Sequence, residues 1–451
     1  MKKLTTGILM GFFAVMGSVH AENNRYHPNH LFVKMKAGEA LVESSLIKSS
    51  KNVFGDLYLI KTTNADALAA KIAGAKGIEY VQRDYYAGKK SMPKHEVLEE
   101  STLLLKKFEN FDWGIEASFN DPEVGKLWAF SAKNGLDVVG AYDSLPSRQA
   151  KEVIVAVVDT GVDHNHEDLK DIMWVNNKEI PGNGIDDDGN GYIDDVHGIN
   201  TLVRDAEGRA TMNTMAGHWH GTHVAGTIAA TQNNGVGIAG VAHNVKIMAI
   251  RTVPDDADEL DSDIVEGFLY AAKMGAKVIN CSFGKKVNEG GMVVRDTINT
   301  ISKNGVLVVV SAGNDSMGPF SWANNDKNPK YPASFDSENM MVIASTTSSG
   351  AFSSFTNIGP MTVDVASPGS NIYSTINNNK YSMASGTSMA APNASGVAAM
   401  VMGYYPNLKN TTVKKLLMET STKVSEFKGK IVSGGRLNLK AALEEARNHK
   451  R

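Results

Sequence analysis

Two hydrophobic periods alternate along most of this chain. Val153–Val158 is continuously apolar and rich in β-branched residues, and Val278–Cys281 is apolar but for Asn280, the pattern of strands buried on both faces. Val245–Ile250 and Val306–Val310 repeat it. Between such runs, apolar residues recur at helical spacing. A helix opening at Asp261 or Ser262 gathers Ile264, Val265, Phe268, Leu269 and Ala272 on one face. Buried strands separated by amphipathic helices predict an α/β fold, a parallel sheet with helices on both faces. The alternation occupies residues 120–451, and its last helix, Ala441–Arg447, nearly reaches the end, so no appended domain is expected.

The N-terminal part reads differently. His30–Met35, Leu57–Thr62 and Ile78–Val81 predict strands, and Ala65–Ala75 a helix. Together they make a small α+β unit within residues 22–87. Residues 88–119 hold Lys89, Lys90, Lys94, Glu96, Glu99, Glu100, Lys106 and Lys107 and read as an exposed linker. Ahead of both, Lys2 and Lys3 precede the apolar run Ile8–Met16, and small residues lead to Ala21. That is the pattern of a secretory signal peptide, residues 1–21, cut after Ala21. No later stretch approaches the ~20 apolar residues of a membrane span. The expectation is an exported protein, secreted or periplasmic.

Charge and cysteine content then exclude whole classes. Lys plus Arg number 46 and Asp plus Glu 49, giving −3, which argues against a broad basic surface for nucleic acid. One cysteine, Cys281, permits no intrachain disulfide and no cysteine-based metal centre. It reads as a buried inert thiol. An exported chain without disulfides needs another stabiliser, such as a large core or a bound hard cation.

Three segments carry residues with chemical potential. In VAVVDTGVDHNHEDL, Asp159 sits just past a buried strand. HWHGTHVAGT holds His218, His220 and His223 among small residues, and in SGTSMAAPNASG Ser388 opens an apolar helix. A serine hydroxyl becomes a useful nucleophile when an imidazole takes its proton. The imidazole in turn needs a carboxylate to fix its tautomer. A helix N-terminus adds a backbone donor and favourable dipole, and Gly221 and Gly386 let other backbone approach. Asp159, Ser282–Gly284 and Asn314 all follow predicted parallel strands, and sites in open α/β sheets lie at that carboxyl edge. Taken singly, Asp159 reads as a turn residue, His220 as structural and Ser388 as a helix cap. His218, His220 and His223 also spell H-x-H-x-x-H, the basis of an alternative zinc hydrolase.

The three segments, in the order Asp, His, Ser, resemble the subtilisin-like serine proteases, the subtilases. The resemblance covers roughly Asp121 to Asn448 and implies a subtilisin-like sheet preceded by a small α+β propeptide domain. It implies a serine endopeptidase acting on protein or peptide substrates through an acyl-enzyme. Asp159 would orient, His220 act as general base and Ser388 as nucleophile. Asn314, in VVVSAGND, would donate to the oxyanion. Ser282, Phe283 and Gly284, with Ala312 and Gly313, would wall the primary specificity pocket. One departure is Asn393 after Pro392, where the family commonly has histidine. Met389, beside the nucleophile, is expected to be oxidisable. The alternative is a catalytically inactive subtilase acting as a binding module.

Two calcium sites are expected. NGIDDDGNGYIDDVHG places Asp186, Asp188, Asn190 and Gly191 like the start of a D-x-[DN]-x-[DN]-G loop. His197 falls where an EF-hand would have glutamate, so Tyr192, Asp194 and Asp195 are candidates for the remaining oxygens. By resemblance, Asp168 with Asn233 or Asn234 forms a second site. Residues 22–87 resemble the subtilisin propeptide, notably IEYVQRDY (78–85), which implies an intramolecular inhibitor and folding aid removed by autoprocessing. The acidic run Asp255, Asp256, Asp258, Glu259 and Asp261 borders the family's substrate groove and suggests a preference for basic residues at P2–P4. A monomer is expected.

Overall fold

The computed structural model describes residues 26–86, 115, 118–146, 149–256, 259–286, 291–318 and 321–449. The expected signal peptide, most of the linker and Asp258 lie outside them. In the N-terminal unit, β1 (Tyr26–Met35), β2 (Ile47–Phe54), β3 (Leu57–Thr62) and β4 (Ile78–Tyr85) form an antiparallel sheet in the order β2-β3-β1-β4. Strand alternation divides its faces. Leu31 and Val33 pack under α1 (Ala65–Ile72) with Leu68 and Ile72, whereas Phe32 points the other way. The helix stops short of the predicted Ala75, and the chain turns at Gly74, whose φ is +77°. The sequence reading missed β2, because the middle of IKSSKNVF is polar and exposed.

The larger unit contains β5 (Val153–Asp159), β6 (Gly198–Arg204), β7 (Ala210–Thr211), β8 (Val245–Arg251), β9 (Val278–Cys281), β10 (Leu307–Ser311), β11 (Met340–Thr346) and β12 (Val365–Pro368). It continues through the hairpin β13 (Ile372–Ile376) and β14 (Lys380–Ala384) to β15 (Thr422–Lys423) and β16 (Gly435–Arg436). All but the hairpin form one ten-stranded sheet, ordered β15-β16-β12-β11-β10-β9-β5-β8-β6-β7. Its interior pairs are parallel, and the edge pairs β6–β7 and β15–β16 are antiparallel. Helices are α2 (Val138–Asp143), α3 (His220–Ala229), α4 (Asp261–Lys273), α5 (Met292–Ser302), α6 (Thr387–Tyr404), α7 (Asn410–Glu419) and α8 (Leu439–Asn448).

Both faces of this sheet are covered. Val155 and Val157 join a core with α3, α6, α7 and α8. Ala156 and Val158 join another with α4 and α5, to which Phe32 and Leu57 of the small unit add. Strand β5 has β8 on one side and β9 on the other, so the chain reverses its direction of growth there. Such a switch point is where a parallel sheet opens a crevice at its carboxyl edge.

Candidate active site

Asp159 is the last residue of β5 rather than the first beyond it. Its Oδ1 accepts the Thr160 N–H at 2.8 Å and lies 2.7 Å from His220 Nδ1. Both side chains are buried. A carboxylate at Nδ1 holds the proton on that nitrogen and leaves Nε2 as the basic atom. His220 opens α3, and Gly221 explains how the helix starts so near the strand. A Cβ there would sit 2.1 Å from the Gly161 carbonyl oxygen and 3.2 Å from Asp159 Cβ.

Ser388 lies in the first turn of α6 and is half-buried. Its Oγ donates to the Ser282 carbonyl at 3.0 Å, and Ser282 Oγ donates to the Ser388 carbonyl at 2.9 Å. The structure therefore joins Asp159 to His220 and Ser388 to Ser282, with the serine hydroxyl turned to the pocket strand rather than to the imidazole. Asn280, not foreseen from the sequence, donates to Ser282 Oγ at 2.9 Å and so fixes that strand to the serine's helix.

Asn314 follows β10. Its Oδ1 accepts both Thr387 N–H and Thr387 Oγ1–H at 2.9 Å, which aims Nδ2 away from them. A Cβ built on Gly386 would stand 3.5 Å from both Asn314 Nδ2 and Ser388 N. Two N–H donors thus flank one small space kept open by a glycine, the arrangement that stabilises a developing oxyanion. Thr387 is the second residue that the sequence reading missed. Its signal was only its place inside GTS.

Neighbouring residues fill supporting roles. Asn393 donates to the Pro368 and Met389 carbonyls at 3.0 and 3.2 Å and is buried behind Ser388. Met389 is only 2% exposed and packs in the core of the large unit. Cys281 is fully buried and burial pushes its thiol well up, as befits an inert group. Ser282, Phe283 and Gly284 follow β9, and Ala312 and Gly313 follow β10, on the same sheet edge.

Among the described residues the H-x-H-x-x-H segment forms no metal-holding cluster. His223 is buried with Nε2 at the Ile372 and Ser382 carbonyls, 3.0 and 3.2 Å, and burial, with His220 adding, pushes its pKa down to about 3. His218 Nδ1 accepts the His220 backbone N–H at 3.3 Å. In the acidic run Asp255 and Asp256 are exposed, Asp255 pairs with Arg251 at 3.1 Å, Glu259 is buried, and buried Asp261 pairs with Lys285 at 2.7 Å.

The acidic insertion does bring carboxylates together. Oxygens of Asp186, Asp188 and Glu179 lie within 4.8 Å of one another. Glu179, outside the motif, was not foreseen. It is buried, and burial, with the charges of Asp195 and Asp188 adding, raises its pKa. Three converging carboxylates are a donor set suited to a hard divalent cation. The remaining candidates brace the loop. Asp194 accepts the N–H groups of Gly182, Asn183 and Gly184 at 2.8–3.2 Å. Asp195 accepts from Tyr270, Asn190 and Asn176, and Tyr192 Oη donates to Glu266 at 3.1 Å.

At the second expected site Asn234, not Asn233, reaches Asp168, with Nδ2 2.9 Å from Oδ1. Buried Asp121 lies alongside and accepts the backbone N–H groups of Asn233 and Asn234 at 2.9 and 3.1 Å. Burial pushes Asp168 up to about 6, with the charge of Asp121 contributing. Two neighbouring buried carboxylates, Asp121 and Asp168, also fit a cation.

The large sheet carries a buried carboxylate–imidazole pair at its switch point, and a serine and an amide bound to their own neighbours at the ends of α6 and β10. Comparison with known proteins identifies the family. Residues 150–435 match the Subtilase family, and the chain belongs to that family. It is 28% identical to Subtilisin-like protease 1 of Plasmodium berghei over 91% of this chain and 67% of that protein. It is 29% identical to the Thermophilic serine proteinase of Bacillus sp. strain AK1, covering 90% of this chain and 81% of the other. It is 32% identical to an Extracellular protease of Xanthomonas campestris, covering 73% and 57%. The chain spans about half the length of several relatives, 48% for the Plasmodium falciparum protease. A solved structure of proteases from Pseudoalteromonas arctica aligns with a TM-score of 0.56 at 29% identity, covering 73% of this chain and 99% of that one. Among the described residues, no helix is long and apolar enough to cross a membrane.

Proposed function

We propose that the protein is an exported serine endopeptidase, made as a precursor that cuts off its own N-terminal unit. The observation that carries this is the 2.7 Å contact between Asp159 and His220. In this reading Ser388 Oγ leaves the Ser282 carbonyl and turns to His220 Nε2. It gives its proton to Nε2 as it attacks the substrate carbonyl carbon. Asp159 stabilises the imidazolium. Asn314 Nδ2 and the Ser388 N–H, an orphan donor of the helix start, receive the negative charge on the carbonyl oxygen. Collapse breaks the C–N bond, and the Nε2 proton goes to the leaving amine. Water then repeats the cycle on the acyl-enzyme.

The contacts of β4 support the propeptide role. Asp84 Oδ1 accepts the Ser262 N–H at 2.9 Å and Gln82 Oε1 accepts the Val293 N–H at 3.0 Å. They cap α4 and α5, neither of which has a side-chain cap of its own. Just beyond, the Tyr85 carbonyl accepts from Lys285, one residue past the pocket strand. Calcium would be held by Glu179, Asp186 and Asp188, and by Asp168 with Asp121 and Asn234. It would neutralise these carboxylates and stiffen their loops, and would take no part in the reaction.

The inactive reading has one observation behind it, the Ser388 hydroxyl turned to Ser282. Expression of the full chain in a protease-free host tests both. The wild type should shorten itself and then degrade an unfolded protein, and Ser388→Ala should stay at precursor length and do neither. A Ser388→Ala chain that is processed like the wild type would overturn the proposal.

A further inference from the structure

The two glycines of the expected specificity walls share a neighbour. A Cβ on Gly313, whose φ is +111°, would stand 2.7 Å from Lys330 Cδ, and a Cβ on Gly284 would stand 3.7 Å from Lys330 Cγ. The lysine stem therefore runs past the faces that both glycines leave bare. It is held there by an isolated antiparallel bridge. Lys285 and Tyr331 exchange backbone hydrogen bonds at 2.9 and 2.8 Å, which ties the residue after Gly284 to the residue after Lys330.

Charge follows the stem. Lys330 Nζ lies 3.1 Å from Asp315 Oδ2, and Lys286 Nζ lies 3.1 Å from Asp315 Oδ1. Asp315 directly follows Asn314, and Asn357 Nδ2 also donates to it at 3.1 Å. One carboxylate thus stands between two ammonium groups, leaving a net charge of +1 in this cluster. Among the described residues, Asp315 is the single hydrogen-bond partner of the Lys330 ammonium, which leaves two of its three donors for a ligand.

Resting on the protease reading above, we propose that Lys330 sets the primary specificity of the enzyme by shortening the pocket between Gly284 and Gly313 and placing an ammonium group within it. The substrate class is then peptides with an acidic P1 residue, glutamate or aspartate. A P1 carboxylate completes an alternating cluster of two cations and two anions. A P1 lysine or arginine meets unpaired like charge, and a P1 phenylalanine meets the lysine stem. A site that pairs a partly buried charge discriminates against substrates that leave it unpaired.

The test is kcat/KM for peptides differing at P1 alone (Glu, Gln, Phe, Lys), measured on full-length protein after self-processing, with active sites counted by fluorophosphonate titration. The wild type should prefer Glu over both Phe and Lys by about tenfold or more. Lys330→Met should erase the Glu-over-Phe preference while titrating normally. Asp315→Asn, which keeps both lysines, should widen Glu over Lys. An unchanged P1 order in a titratable Lys330→Met enzyme, or Phe as the best P1 in the wild type, overturns the assignment alone. Absence of titratable sites in the wild type, with no peptide cut, overturns the protease reading and this proposal with it.

Discussion

The two sheets of the molecule solve the same packing problem in opposite ways. The ten-stranded sheet brings its own helices to both faces. The four-stranded sheet covers one face with α1 and lays the other, through Phe32 and Leu57, on the α4–α5 side of its neighbour. A unit of about 60 residues buries too little surface to be robust alone, so the small sheet depends on the large one. The dependence runs the other way too, because α4 and α5 begin without side-chain caps and take them from Asp84 and Gln82. The lesson is that each unit covers what the other leaves open, which on the proposed function suits one unit to stay and the other to clamp and be released. Release, on the proposed function, needs the chemistry of the large unit.

The largest effect therefore belongs to the nucleophile. Ser388→Ala should lower kcat by a factor on the order of 10⁶, the scale found for the same triad in subtilisin. It should also leave the two units joined, as an intact chain on a denaturing gel. Next comes the oxyanion donor. Asn314→Ala should cost about 10²–10³ in kcat with KM little changed, and processing should slow without stopping.

The clamp is the third target. Asp84→Ala with Gln82→Ala removes two helix caps worth about 1 kcal/mol each. Inhibition of the mature enzyme by the released N-terminal unit should weaken by about tenfold or more. An unchanged inhibition constant would mean that apolar contact alone joins the units.

The smallest effect is on stability. A chelator should lower Tm by about 5 °C or more, with calcium restoring it. Asp168 fixes the sign of the pH dependence. Its folded pKa is raised from 3.8 to about 6, so the cation-free folded state holds a proton that the unfolded state has released. Stability without cation then falls as pH rises from about 4 to 6. A cation needs the carboxylate ionised, so the Tm gain from calcium should be larger at pH 8 than at pH 5. An equal gain at both would remove Asp168 from the site.

The sheet and its helices were legible because continuous β-branched runs have few other uses. Strands β3 and β9 fall where the pattern puts them. Strand β2 was not legible, since an edge strand with an exposed middle carries no period. In the site, Asp159, His220, Ser388 and Asn314 stood out because each sits in a compact motif that resembles the subtilase family's, beside a predicted strand end or helix start. Glu179, Asp121, Asn280 and Thr387 did not. They act through partners distant in sequence or through backbone groups, which linear spacing does not reveal.

Mass spectrometry after treatment with a fluorophosphonate tests the central claim most directly. The account predicts one adduct, on Ser388, that disappears in a folded His220→Ala protein. An adduct on another serine, or equal labelling of Ser388 with and without the His220 imidazole, would contradict it.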